Sequence, residues 1–155
     1  MQYDEDGSVV DGQTGLPNRG GWEAVLAAEE ERSRRHGGSH GLVLVRLEDS
    51  AASAGWAEQA ARALTRSVRE IDLLARIDDR TFAVLALHCD DLEPVVGRLR
   101  TSLGRAGVPL AALIETLAAG ADLRATWSAL ATGSPLVTPA VRHIAFVPSV
   151  PVSLN

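Results

Sequence analysis

The sequence predicts an α/β domain in which helices flank a mixed central sheet. Segments with apolar residues at helical spacing alternate along the chain with short apolar runs typical of buried strands. The length of 155 residues suits one domain, which buries about two thirds of the surface that its unfolded chain exposes. Because the apolar fraction of 46% includes only six aromatic residues, we expect one finely packed aliphatic core.

The first half of the chain predicts helix, strand and helix in that order. A helix is expected after Asn18, with Trp22 and Leu26 at helical spacing, and Gly37-Gly38 ends the pattern. Residues 41–47 form a Val- and Leu-rich run typical of a strand buried on both faces. An Ala-rich stretch from about 55 to 68 predicts the next helix.

A β-hairpin is expected next, with Leu73 to Ile77 and Thr81 to His88 as its strands. Asp78-Asp79 is placed at the turn, since Asp tolerates the unusual dihedrals of tight turns. Asp90 then caps a helix whose apolar positions repeat at helical spacing, namely Leu92, Val95, Val96, Leu99 and Leu103.

The C-terminal part is expected to hold a strand at Leu110 to Thr116 and a last helix at 120–131 that buries Leu123, Trp127 and Leu130. Four of the seven prolines fall in the final 21 residues, which is the composition of a tail or an edge strand. Arg142 to Val147 is the strand candidate there.

Charge and composition exclude several classes of protein. The net charge of −5 argues against nucleic-acid binding, which needs a clustered positive face. All fifteen basic residues are Arg, so the lysines of P-loops and Schiff-base enzymes are missing. A lone Cys89 permits no internal disulfide and suits a reducing cytoplasm. No apolar run reaches the roughly 20 residues of a membrane span, so no membrane insertion is expected.

Two motifs carry a resemblance to a known family. Residues 11–19 read Asp-Gly-Gln-Thr-Gly-Leu-Pro-Asn-Arg, similar to the Asp-x-Leu-Thr-Gly-Leu-x-Asn-Arg motif that opens GGDEF-type nucleotide cyclase domains, with Gln13 in place of Leu. Farther along, Arg69-Glu70-Ile71-Asp72 is followed after five residues by 78–82, Asp-Asp-Arg-Thr-Phe, where the family has Gly-Gly-Asp/Glu-Glu-Phe. The resemblance covers roughly residues 9–131.

The resemblance implies a ferredoxin-like βαββαβ core with additional elements. It divides the chain into a flexible leader at 1–8, a degenerate GGDEF-like domain at 9–131 and a Pro-rich tail at 132–155 that can add an edge strand.

In active members, two Mg²⁺ ions are held by an Asp at the end of the first core strand and by acidic residues of the GGDEF turn. Here Arg46 stands at the strand position, while Arg80 and Thr81 stand at the acidic pair. Asp78 and Asp79 replace the two glycines that let the backbone approach the substrate phosphates. The resemblance therefore implies lost catalytic positions, no metal site and no cofactor.

The loop that reads guanine in active members is also shortened, because only residues 49–56 connect the first strand to the next helix. Arg46 and Arg80 have two interpretations. They can form a new anion site, or they can form surface ion pairs with neighbouring carboxylates. The surface ion pairs are the favoured interpretation.

Arg69 and Asp72 match the family's inhibitory-site motif, at which cyclic di-GMP binds back to the domain. An Arg fork can grip a phosphate or a guanine edge, and an Asp accepts from guanine N–H groups. Arg100, or alternatively Arg98, matches a further arginine of the helix after the hairpin. A working site requires both Arg69 and Asp72 to face solvent. The alternative is an ordinary surface ion pair.

Two histidines, His36 and His40, flank Gly37-Gly38-Ser39 and are interpreted as loop residues. Together these observations predict a catalytically inactive GGDEF-like signalling domain in the bacterial cytoplasm. It would act as an interaction module with a protein partner or as a homodimer, or as a receptor for cyclic di-GMP. Residual diguanylate cyclase activity is the alternative.

Overall fold

The computed structural model describes residues 7–49, 55–132 and 143–146. Four α-helices and five strands follow one another along these residues. The helices are α1 (Arg19–His36), α2 (Trp56–Ser67), α3 (Glu93–Arg105) and α4 (Leu123–Thr132), the last preceded by a 3-10 turn at Gly120–Asp122. The strands are β1 (Ser39–Leu47), β2 (Leu73–Asp78), β3 (Thr81–Ala86), β4 (Leu110–Ala119) and β5 (His143–Phe146).

The strands form one sheet in the order β2-β3-β1-β4-β5, and every neighbouring pair is antiparallel. The expectation of a mixed sheet was wrong. Two strand-helix-strand connections exist, but β3 lies between β1 and β2, and β1 lies between β3 and β4. Each connection therefore joins strands that share no hydrogen bonds, and the predicted βαββαβ core is confirmed without any parallel pair.

The helices cover both faces of the sheet, which gives two apolar clusters instead of the single core expected. One face packs against α2 and α3, with Leu64 and Leu99 fully buried. The other face packs against α1 and α4, where Trp22 and Trp127 meet edge to face at 5.0 Å. Two of the six aromatic residues in the sequence, Trp22 and Trp127, thus pack together in this cluster.

Strand β1 contributes to both clusters because its side chains alternate between the faces. Leu42 and Leu44 belong to the cluster under α1, whereas Val43 and Val45 belong to the cluster under α2. All four are buried, as predicted for this run. The strand is central, so any side chain at its end lies beside both β3 and β4.

Two local predictions are corrected. The hairpin turn consists of Asp79 and Arg80, because Asp78 pairs with Thr81 across the ladder, and β3 ends at Ala86. Helix α3 begins at Glu93, whose N–H donates to the side chain of Asp91 at 3.0 Å, so Asp90 does not cap it.

Strand β5 lies within the segment predicted from the Pro-rich tail and extends the sheet beside β4. The division at residues 8 and 131 stays a prediction. Among the described residues, no helix is long and apolar enough to cross a membrane.

Candidate functional site

The loop that precedes α1 is closed by the side chain of Asp11. Its carboxylate accepts from the Thr14 N–H at 2.9 Å and from the Thr14 hydroxyl at 2.6 Å, and its own N–H donates to the Leu16 carbonyl at 2.7 Å. Asn18 then caps α1 by accepting from the Gly21 N–H at 3.0 Å. These contacts explain why an Asp, a Thr and an Asn stand at these spacings.

Arg76 of β2 joins this loop to the hairpin. Its guanidinium donates to Asp11 at 3.2 Å, to the Gln13 side chain at 2.7 Å and to the Asp79 carbonyl at 2.9 Å. Although partial burial alone would raise the pKa of Asp11, the hydrogen bonds from Thr14 and Arg76 hold it below its ordinary value. Sequence reasoning did not single out Arg76, because it is one arginine among fifteen.

The hairpin turn presents the replaced signature residues. Asp78 and Asp79 are exposed, as predicted for a tight hairpin tip, whereas Thr81 is buried beside β1. Arg46 is directly opposite Thr81 in the β1–β3 ladder, and the Arg80 carbonyl accepts from the Leu47 N–H at 2.7 Å. The three positions expected to lack metal ligands therefore lie side by side at one end of the sheet.

Arg80 forms an ion pair with Asp49, which is largely exposed. This agrees with the expected surface pairing for that guanidinium. No ion pair joins Arg46 to another described residue. Among the described residues, no three His, Cys, Asp or Glu side chains are arranged to hold a metal ion.

A groove of about 340 Å³ lies between the Asp11 loop and α2, lined by Gln13, Thr14, Glu58, Ala61, Arg62, Thr65 and Arg66. It has one carboxylate, that of Glu58, and two guanidiniums. Most of the shortened loop, at 50–54, lies outside the described residues.

The side chains of Arg69 and Asp72 form hydrogen bonds with each other. The Arg69 guanidinium donates to both Asp72 oxygens, at 3.1 and 2.9 Å, and to the Leu87 carbonyl at 2.7 Å. Asp72 also accepts from the N–H groups of Arg69 and Leu87, and its side chain is 0% exposed. This carboxylate raises the pKa of Arg69.

The requirement that both side chains face solvent is thus met by Arg69, which is 43% exposed, and not by Asp72. The other two predicted residues, Arg98 and Arg100, are exposed on α3. Two residues along a helix are about 200° apart, so these guanidiniums leave the helix on different sides. Arg98 donates through Nε to the Ser67 carbonyl at 3.2 Å, at the end of α2.

Solved structures of GGDEF domains are similar to this chain. The FimX GGDEF domain from Pseudomonas aeruginosa is 20% identical, with a TM-score of 0.60 over 82% of this chain and 93% of that one. The DgcB GGDEF domain from Caulobacter crescentus, in complex with c-di-GMP, is 14% identical, with a TM-score of 0.61 over 86% and 93%. The chain has the fold of a GGDEF domain.

The diguanylate cyclase SiaD from Pseudomonas aeruginosa, in complex with its activator SiaC, is 29% identical. Its TM-score is 0.55, and the match covers 72% of this chain and 49% of that chain. This chain therefore spans about half the length of the SiaD chain. No protein-family model and no curated protein matches the sequence.

Within this GGDEF fold, sequence reasoning missed a buried polar cluster between α1 and β1. His40 is 0% exposed and lies in β1, while His36 ends α1, so their interpretation as loop residues was wrong. The His40 Nδ1 accepts from the His88 N–H at 3.1 Å, and Nε2 lies 2.9 Å from the Ser33 hydroxyl and 3.5 Å from Glu29.

Burial lowers the pKa of His40, and the Glu29 carboxylate opposes this effect. Because Nδ1 accepts this hydrogen bond, the neutral His40 ring carries its proton on Nε2, which faces Ser33 and Glu29. A histidine two residues into a buried apolar strand was the available signal for this cluster.

Proposed function

We propose that this chain is a catalytically inactive GGDEF-like domain that acts as a regulatory interaction module in cyclic di-GMP signalling. The observation that carries the proposal is the adjacency of Arg46, Arg80 and Thr81 at the end of the β1–β3 ladder. In active members these positions hold the carboxylates that bind Mg²⁺.

Electrostatics supports the loss of metal binding. Replacing three carboxylates by two guanidiniums and a hydroxyl changes the summed charge of these three positions from −3 to +2 if all are ionised. A pair of unit charges at about 4 Å interacts with roughly 4 kcal/mol at an effective dielectric of 20. Asp49 pairs with Arg80, and the exposed Asp78 and Asp79 lie in the same hairpin, but none of these carboxylates occupies one of the three positions. The three positions therefore offer a dication two guanidiniums and no carboxylate, so two-metal phosphoryl transfer lacks its metal ligands.

The interaction role draws support from two further observations. Asp72, the acceptor that a guanine would need, is already saturated by Arg69 and Leu87. SiaD, which is similar to this chain, was crystallised with a protein activator. Because Asp72 is bonded to Arg69 and Leu87 while the fold is preserved, contact with a protein or with a second copy of the chain is favoured over nucleotide binding or turnover.

A second candidate function is binding of cyclic di-GMP at the Arg69 motif. The observation that favours it is the exposure of the Arg69 guanidinium, together with the c-di-GMP complex of DgcB. Binding would require Asp72 to exchange its hydrogen bonds with Arg69 for bonds to the ligand.

Catalysis is tested by incubating the purified chain with GTP and Mg²⁺ or Mn²⁺ and separating the nucleotides. No cyclic di-GMP is expected, and an active GGDEF cyclase serves as the positive control. Product that disappears in a Glu48→Gln or Asp79→Asn variant would overturn the proposal, since displaced carboxylates would then hold the metal.

The receptor function is tested by calorimetric titration with cyclic di-GMP. The interaction module predicts no binding heat. Binding that weakens about thirtyfold in Arg69→Ala, the equivalent of about 2 kcal/mol, would establish the second candidate. Glu70→Ala, a neighbouring exposed charge, is the matched control.

The interaction role itself is tested by sedimentation velocity of the chain alone and mixed with an active GGDEF cyclase. A homodimer or a mixed complex is expected. A monomer in both samples would contradict the proposal.

A further inference from the structure

A second groove lies between the C-terminal end of α2 and the outer side of α3, with a volume of about 520 Å³. We call it the basic groove. Its lining residues are Arg66, Ser67, Pro94, Gly97, Arg98, Thr101, Ser102 and Arg105. Three guanidiniums and three hydroxyl-bearing side chains line it, with no carboxylate among them.

The sequence places these groups on one side of α3. Arg98, Thr101, Ser102 and Arg105 have the spacing i, i+3, i+4 and i+7, which aligns side chains along one helix face. Arg66 approaches from the last turn of α2. The Nε of Arg98 donates to the Ser67 carbonyl at 3.2 Å, which fixes that guanidinium at the junction of the two helices.

The positive charge of the basic groove is not neutralised by the rest of the described chain. Arg66, Arg98 and Arg105 form no ion pair with any residue in the parts that the structure describes. Arginines elsewhere, such as Arg32 and Arg124, pair with glutamates. On a chain with a net charge of −5, three unpaired guanidiniums around one groove form a distinct local excess of positive charge.

We propose that the basic groove binds an oligophosphate group. Guanidinium forks and hydroxyls are the donors that bind phosphate oxygens best, and three cations match an anion of several charges concentrated in a small volume. A volume of about 520 Å³ is within the usual range of small-molecule sites. An acidic polypeptide carries single charges spread along a chain, so it matches three arginines that line one groove less well.

The lining also indicates which part of a ligand is recognised. No aromatic ring is available to stack on a base, and no carboxylate is available to accept from base N–H groups. The basic groove therefore binds the phosphate chain, whether free or attached to a nucleoside, and leaves the base in solvent. Its lining includes Arg98, the alternative third residue of the predicted cyclic di-GMP site, but neither Arg69 nor Asp72.

The proposal is tested with sodium pyrophosphate and tripolyphosphate as probes, by calorimetry at low ionic strength. Saturable binding is expected that weakens as salt is raised, because exposed charges are screened. Arg98→Gln and Arg105→Gln should each weaken binding about tenfold. Arg35→Gln on α1, which covers the opposite face of the sheet, removes the same charge and should leave binding unchanged.

Two comparisons decide the ligand class. Equal affinity for tripolyphosphate and GTP is expected, and clearly tighter binding of GTP would overturn the claim that only phosphates are read. Displacement of pyrophosphate by a short poly-glutamate at equal charge concentration would overturn the choice of phosphate over an acidic segment. Absence of binding, or equal binding by all variants, would overturn the site itself. Unfolding curves of each variant confirm that these exposed substitutions leave the fold intact.

Discussion

The Arg76 guanidinium lies 3.2 Å from the carboxylate of Asp11, sixty-five residues earlier in the chain. The two residues belong to the loop before α1 and to the second strand of the sheet. Because the Arg76 side chain is only 9% exposed and Asp11 22%, solvent weakens this pair less than a surface ion pair. Arg76 therefore fastens the first sequence motif to the hairpin that carries the second.

We expect Asp11→Ala to lower the free energy of unfolding by about 2–3 kcal/mol, since it removes both bonds from Thr14 and leaves a largely buried guanidinium with less compensation. Adding Arg76→Met should cost less than the sum of the single changes, with a coupling of about 1–2 kcal/mol. Urea unfolding of the four proteins measures this cycle. Additive effects would show that the two residues act independently, and Glu23→Ala, on the exposed side of α1, is the control.

Asp72 is expected to be a structural residue. Asp72→Ala leaves the N–H groups of Arg69 and Leu87 without their acceptor, and we expect it to cost about 2–3 kcal/mol. Arg69→Ala should cost about 1 kcal/mol or less, because that guanidinium is exposed. Equilibrium unfolding distinguishes the two variants. Equal and small effects would contradict a structural role for Asp72 and favour a ligand site.

The pattern of apolar residues identified every helix and strand that the structure describes, because burial on a sheet or helix face leaves a period in the sequence. It could not give strand direction, since Leu42 to Val45 would read the same in a parallel or an antiparallel ladder. The residue at the start of α3 whose side chain accepts from the helix was also ambiguous. Asp90 and Asp91 are adjacent, and only the geometry shows that Asp91 accepts from the Glu93 N–H.

The candidate sites were predictable where a motif is short and local. Arg69 and Asp72 are the two ends of a tight turn, in which the Asp72 N–H donates to the Arg69 carbonyl at 3.0 Å, so their side chains lie close together. The basic groove was not predicted as such, because Arg66 and Arg98 come from different helices and meet only after the sheet has brought α2 and α3 together. A link such as Asp11 to Arg76 leaves no local signal in one sequence.

Stability should fall below pH 6.5 because of His40. Burial lowers its pKa in the folded protein, so the unfolded chain binds more protons as the pH drops through 6.5. The stability contributed by the neutral ring is full above that value and is lost progressively toward the lower folded pKa. The charged and titratable groups facing the ring are Glu29, Arg32 and His88.

The measurement is the urea midpoint as a function of pH between 7.5 and 5, values chosen to bracket the ordinary histidine pKa of about 6.5. In His40→Asn the decline should largely disappear, since the Asn carbonyl can replace Nδ1 as acceptor for the His88 N–H. His36→Asn, at the exposed end of α1, should keep it. An unchanged decline in His40→Asn would assign the pH dependence to other groups.

Gly41 in β1 leaves room for Leu92, which lies directly before α3. A Cβ at position 41 would lie 2.2 Å from Cδ2 and 2.7 Å from Cγ of Leu92, so the leucine must move. We expect Gly41→Ala to cost about 1–3 kcal/mol through overpacking, and Leu92→Ala to cost about 2–4 kcal/mol through the cavity it leaves. In the double variant the new methyl occupies part of that cavity, so the double variant should be at least 1 kcal/mol more stable than the sum of the single costs predicts.

Gly104→Ala is the control. A Cβ at position 104 meets no atom within 4 Å and lies near the end of α3, so this change should stabilise the protein by about 0.5–1 kcal/mol. Strictly additive unfolding free energies for Gly41→Ala and Leu92→Ala would show that the strand and the leucine are not in contact.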